Sequence, residues 1–240
     1  MRVNAGHSTA RRSSATLFLE NKLYKFSITA IYKMTHLGFY KDANRPTTLP
    51  LAIKEWASVC LALACRRQTI LVRAGGIHDM QPQFGFKDSV FWLYPTAFHQ
   101  TAEKLAEKDV HFASEAANQE PLLSARRIDL LGVVEATAWL TDMKCVEQLA
   151  PFHILSESVI AERFAYRSPG LAVALVRVWR RKEPHLVEET SEMAGCRSRV
   201  ELVQQLKTDW LECVMPDDAF ENVSQAIHSA LGQSLELRTQ

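Results

Sequence analysis

The run Leu171–Trp179 constrains the fold most. Nearly every position in it is apolar, without the alternation of a half-wetted strand, so it reads as a central strand covered on both faces. Ser168-Pro169-Gly170 breaks the chain just before it. Arg177 is the exception inside the run. A guanidinium there needs a carboxylate partner, Glu55 or Glu162 for instance, or an opening onto a solvent-filled cleft that holds an anion.

The other elements arrange themselves around that strand. Thr69–Val72 and Ser89–Tyr94 are short, apolar and rich in strand formers, and the spacing predicts a hairpin between them across a loop of about fifteen residues. Ile128–Leu140 is a third strand. Ile53, Trp56, Ala57, Cys60, Leu61 and Ala64 recur at helical steps from Leu51 onward, ahead of Arg66 and Arg67. Pro95 is placed to open a helix with Phe98, Ala102 and Leu105 on one face, and Asp109–Leu123 reads as a loop. Asp142 and Ser156 cap helices running to Leu149 and Arg167. Ser198 with Glu201 has the form of a capping box, and Asp217–Leu231 is a last helix ending at Gly232. Helices and strands without a regular βα alternation predict an α+β fold, a small mixed sheet covered by helices.

With 240 residues the chain is long enough for a full core. Residues 1–50 carry eight Lys/Arg against two acids, and residues 51–240 carry twenty against twenty-five. The first fifty residues lack a sustained period and are set apart as a poorly ordered extension, a transit-like segment or upstream sequence before a start at Met34. Residues 51–240 are then a single α+β domain. Its slight negative charge argues against nucleic-acid binding through bulk charge alone, and leaves room for a local basic cleft. The five cysteines form no CxxC pair, as in a reduced, cytoplasmic protein, and no apolar run is long enough to span a membrane.

Candidate chemistry concentrates between Ile53 and Gln100. Arg73 leads into Gly75 and Gly76, where a strand end exposes backbone amides that can hold a phosphate or carboxylate, or simply makes a tight turn. GxxxxGK and GxGxxG are both missing, so this is not a nucleotide loop of either standard kind. His99 and His153 are candidate general bases or satisfied core groups, and with Glu55 or Cys196 their spacing supports no metal site. Cys196 and Arg197 precede a predicted helix start, where amides, thiol and guanidinium meet at an anion site or where Cys196 merely packs. Arg163 and Arg177 complete a set of cations in otherwise apolar surroundings. A magnesium-dependent nuclease core is not met, because Asp129 and Glu135 lack the lysine that should follow.

Lys54-Glu55-Trp56, Arg73 with Gly75-Gly76-Ile77, Tyr94-Pro95-Thr96 with His99-Gln100, His153-Ile154, Arg163-Phe164, Arg177-Val178 and Gly195-Cys196-Arg197-Ser198 occur in that order. In this the chain resembles the uncharacterised prokaryotic family of domain of unknown function 1802, over about residues 51–207. It departs from the pattern at Ala74, Phe98 and Arg199, where a lysine, a glutamate and a tryptophan are expected. Some members resemble parts of restriction systems in being joined to endonuclease-type domains, and the resemblance implies a nucleic-acid context.

Two expectations follow. In the first, Arg73, Gly75, Gly76, Arg163, Arg177 and Arg197 line an anion-binding cleft for nucleic acid or a nucleotide, with Glu55, His99, His153 and Cys196 as catalytic candidates. In the second the chain is a non-catalytic interaction module, its polar residues lock the fold, and an exposed apolar patch marks the partner surface. No cofactor is specified by the sequence.

Overall fold

The computed structural model describes residues 46–74, 89–97, 100–119, 125–166, 170–191, 193 and 198–231. In chain order these form β1 (Thr48–Trp56), α1 (Ala57–Ala64), β2 (Ile70–Ala74), β3 (Val90–Thr96), α2 (His111–Gln119), β4 (Ala125–Leu140), α3 (Met143–Glu147), α4 (Glu157–Ala165), β5 (Leu171–Glu188), β6 (Arg199–Lys207), β7 (Leu211–Cys213) and α5 (Asp217–Leu231). Single 3-10 turns sit at Ala102–Lys104, Glu107–Asp109 and Ala150–Phe152. The architecture is α+β. No helix among the described residues is long and apolar enough to cross a membrane.

The seven strands form one mixed sheet in the order β2-β5-β4-β3-β1-β6, with β7 added to β5. Only β1 and β3 run parallel, Ala52 facing Trp92 and Trp56 facing Thr96. The sheet curls strongly, since Arg73 Nη2 on β2 donates to the Lys54 carbonyl of β1 at 3.0 Å although three strands separate them in the order. Residues 171–179 are buried throughout, as a strand covered on both sides should be. Gly170 precedes it with φ +143°, a conformation L side chains rarely adopt, and a Cβ there would lie 2.6 Å from the Trp139 ring.

Several expected elements change type. The helical spacing from Ile53 is half strand: Ile53 and Trp56 belong to β1, and the helix begins only at Ala57. An unbroken apolar run satisfies both periods, and pairing with β3 decides between them. α1 is apolar all round and buried from Ala57 to Leu63, which suits a helix held inside the fold. The expected hairpin of the second and third strands does not form; β2 pairs antiparallel with β5, and β3 lies between β1 and β4. Pro95 sits in β3 opposite Glu55 rather than at a helix start. Part of the expected loop after Asp109 is α2. Residues Arg199–Lys207 are β6, not a helix after a capping box, because burial of Val200 and Leu202 between exposed neighbours follows a period of two.

The caps at Asp142 and Ser156 form. Asp142 accepts from the Lys144 amide at 3.0 Å, and Ser156 Oγ from the Val159 amide at 3.4 Å. α5 spans Asp217–Leu231, and its expected stop at Gly232 lies outside the described residues.

Candidate functional site

Where β1 passes into α1, the chain places Lys54, Glu55 and Trp56 side by side. Glu55 is buried and its Oε1 accepts from the Trp56 amide at 2.9 Å. The first free amide of α1 is bound from outside: Ser58 N–H donates to Gln100 Oε1 at 2.9 Å. The Lys54 amide donates to the Ser198 carbonyl at 2.8 Å, and its ammonium donates to the Met193 carbonyl. Arg73 reaches the Lys54 carbonyl from β2. Three separate parts of the chain therefore close on Lys54–Ser58.

Two further cations stand against Trp56. The Arg163 guanidinium lies 4.9 Å from the ring centroid and the Lys104 ammonium 5.7 Å, both within cation–π range. One segment positions both. Ile154–Ser156 is pinned to the 3-10 turn that carries Lys104, through the Leu105–Leu155 bridge, the Ala106 amide on the Ile154 carbonyl (2.8 Å) and the Ser156 amide on the Lys104 carbonyl (2.9 Å). Ser156 also caps α4, and two turns later that helix delivers Arg163, which donates to the Val72 carbonyl at 2.6 Å. Among the described residues neither Arg163 nor Lys104 is paired with a carboxylate.

His153 lies in the latch behind this arrangement. Arg67 grips both oxygens of Asp109 at 2.8 and 2.7 Å and also donates to the Pro151 and His153 carbonyls. Gln68 holds the Ile154 amide at 3.1 Å. His153 Nδ1 accepts from the Leu155 amide at 3.2 Å, so the ring nitrogen that would take a proton is already used. Burial, reinforced by the charges of Arg67 and Arg163 and opposed by Asp109, brings the imidazole down to about 4. It is a neutral structural acceptor at neutral pH.

Charge is felt unevenly across the rest of the site. Burial lowers the Arg73 pKa, Arg163 adds to the shift, and Glu55 opposes it. Burial pushes the Cys60 thiol well up, and the carboxylates of Glu55 and Asp129 push it further, so this cysteine is an inert core group.

Arg177 does not join Arg73. In the β2–β5 register Arg73 faces Ala172, an odd number of residues from Arg177, which puts the two side chains on opposite faces of β5. Arg177 is 2% exposed and pairs with Glu135 at 3.6 Å and Asp217 at 3.1 Å, not with Glu55 or Glu162. Its guanidinium carbon also lies 3.9 Å from the Phe220 ring centroid. Gly75, Gly76, His99, Cys196 and Arg197 lie outside the described residues. The described residues that flank them do converge: Arg73, Gln100 and Ser198 each contact Lys54–Ser58. Sequence reasoning missed Lys104, which carries no pattern of its own in Ala102–Lys104. Trp56 was visible as part of its tripeptide and of the apolar helical spacing, not as a partner for cations.

No curated protein matches the chain. Among solved structures, the crystal structure of ASCH from Zymomonas mobilis is similar at 10% identity and a TM-score of 0.35, covering 73% of this chain and 93% of that one. A mutant form of the same protein is similar at 11% identity and a TM-score of 0.37, covering 75% and 97%. The family described as Domain of unknown function (DUF1802) matches residues 52–226, most of the sheet and its helices, and the chain belongs to that family.

Proposed function

We propose that the junction of β1 and α1 is an anion-binding site for a phosphate-bearing ligand, a nucleic acid or a nucleotide. The observation that carries this reading is the pair of cations beside Trp56, Arg163 at 4.9 Å and Lys104 at 5.7 Å, with no carboxylate partner among the described residues. Surface cations are commonly matched by acids or by water. Two held by packing and backbone bonds against an aromatic ring have already lost part of their freedom, and that lowers the cost of ordering them around an anion. Arg73 adds charge from beneath. Gly75, Gly76, His99, Cys196 and Arg197 enter the proposal through chain adjacency to Arg73, Gln100 and Ser198. Glu55, His99 and Cys196 are the groups assigned to any reaction at this place, while His153 acts through the latch.

Fluorescence anisotropy of a labelled single-stranded oligonucleotide against the full chain tests the reading, with a mononucleotide as competitor. Binding should weaken with salt, and Arg163→Gln should reduce the slope of log K against log salt by about 0.7, the share of one phosphate contact. Absence of binding at low salt, or binding that Arg163→Gln and Lys104→Gln leave unchanged, would overturn it.

A second reading, a protein-interaction module, is favoured by one separate observation. Trp210, at φ +58°, is 70% exposed, and Leu186 and Val203 are also exposed large apolar side chains. His185 Nε2, next to Leu186, meets the Lys207 carbonyl at 3.0 Å, which ties the end of β5 to β6. Under this reading Trp210→Ser abolishes a self- or partner association seen by sedimentation while oligonucleotide binding is unchanged; identical sedimentation of both proteins would remove it.

A further inference from the structure

A second basic feature borders α1. β4 and β5 lose register between Ile128 and Leu130, whose partners on β5 are His185 and Arg180, so Asp129 alone stands opposite a longer stretch of β5. Bulges of this kind re-aim side chains, and here Arg127, Asp129 and Arg180 gather at one rim. Arg180 Nε donates to Asp129 Oδ2 at 3.1 Å, and Arg127 Nη2 donates to the same oxygen at 3.5 Å. Among the described residues two guanidiniums share this one carboxylate, a net positive charge. Neighbouring Arg126 is matched separately by Glu189 at 2.9 Å.

Beside these arginines is a cavity of about 70 Å³, lined also by Ala57, Leu61, Leu130 and Gln119. That is room for a few waters or a small organic group. The Cys60 thiol in the lining is kept protonated by burial and by the carboxylates of Glu55 and Asp129, so it brings no negative charge to oppose an anion. An apolar lining with a few convergent polar groups is the usual make-up of a small-molecule site.

We infer that this cavity binds a small organic oxyanion, its phosphate or carboxylate head against Arg127 and Arg180 and its apolar body on Ala57, Leu61 and Leu130. The site is separate from Trp56, Arg163 and Lys104. Arg127 and Arg180 are each 46% exposed, so their substitution leaves the core intact.

The test is titration of phenyl phosphate into the full chain by calorimetry, with inorganic phosphate as control. Phenyl phosphate should bind, and more tightly than inorganic phosphate. Arg180→Gln and Arg127→Gln should each weaken it about tenfold, the effect of one charge-assisted hydrogen bond. Arg163→Gln should not change it. In the wild-type chain, methyl resonances of Leu61 and Leu130 should shift on titration, a readout that needs no variant. No heat and no methyl shift at millimolar probe, binding untouched by Arg180→Gln, or loss with Arg163→Gln instead would each overturn the assignment.

Discussion

Arg163 and Arg177 are the same residue type, each placed beside an aromatic ring, yet they meet opposite fates. Arg177, on the central strand, is enclosed by Glu135, Asp217 and Phe220. Arg163, near the end of α4, has a backbone carbonyl and Trp56 and, among the described residues, no carboxylate. Desolvation explains the difference. A charge in the middle of a sheet must be neutralised where it lies, whereas a half-buried charge in the last turn of a helix keeps some contact with solvent and stays available to a ligand. Glu135 and Arg177 are both 2% exposed at the side chain, while Asp217 is 71% exposed, so Glu135 is the partner that matters to the fold.

Breaking the buried member should have the largest effect. Arg177→Met takes the buried guanidinium away from the Glu135 carboxylate and should cost about 3–5 kcal/mol in denaturant unfolding. The double variant Arg177→Met with Glu135→Leu should recover most of that loss. A single variant within about 1 kcal/mol of wild type would show that the pair is not a fold determinant.

Acid comes next. An unfolded histidine titrates near 6.5, and folded His153 near 4, so between those values the unfolded chain binds more protons. Stability is therefore complete above pH 6.5 and falls as the pH drops towards 4, by about 3 kcal/mol in all. Unfolding midpoints measured across that window should show the slope, and His153→Asn should flatten it. Because Arg163 contributes to the depression, Arg163→Gln should raise the His153 pKa, which NMR titration reads directly.

The half-buried member, Arg163, should matter least to stability and most to ligand. Arg163→Gln should change unfolding by less than about 1 kcal/mol while weakening oligonucleotide binding about tenfold. Lys104→Gln should leave stability within about 0.5 kcal/mol. If Arg163→Gln unfolds the chain as Arg177→Met does, the contrast between the two arginines fails.

The legible part of the fold was that decided locally. Ser156 and Asp142 advertise helix starts through hydroxyl and carboxylate acceptors, and both caps form. The Leu171–Trp179 run announces burial on both faces and receives it. Where an apolar run fits two periods, the choice belongs to its neighbours: Ile53–Trp56 is strand because β3 lies parallel to it, and the helix that follows is buried from Ala57 to Leu63. β6 shows the reverse. Its alternation was present at Val200 and Leu202, but Ser198 and Glu201 gave a stronger helical cue.

The site divides along the same line. Composition and position determined that Arg163, Arg177 and Arg197 are costly residues in apolar or small-residue company, because desolvation of a charge is a property of the residue and its surroundings in the chain. Only the tertiary structure decided which charges are neutralised. The curl of the sheet carries Arg73 to Lys54, the Ile154–Ser156 latch brings Lys104 and Arg163 to Trp56, and the pleat turns Arg177 to the other face. These pairings join residues tens of positions apart, and their geometry depends on register and curvature that no local pattern encodes.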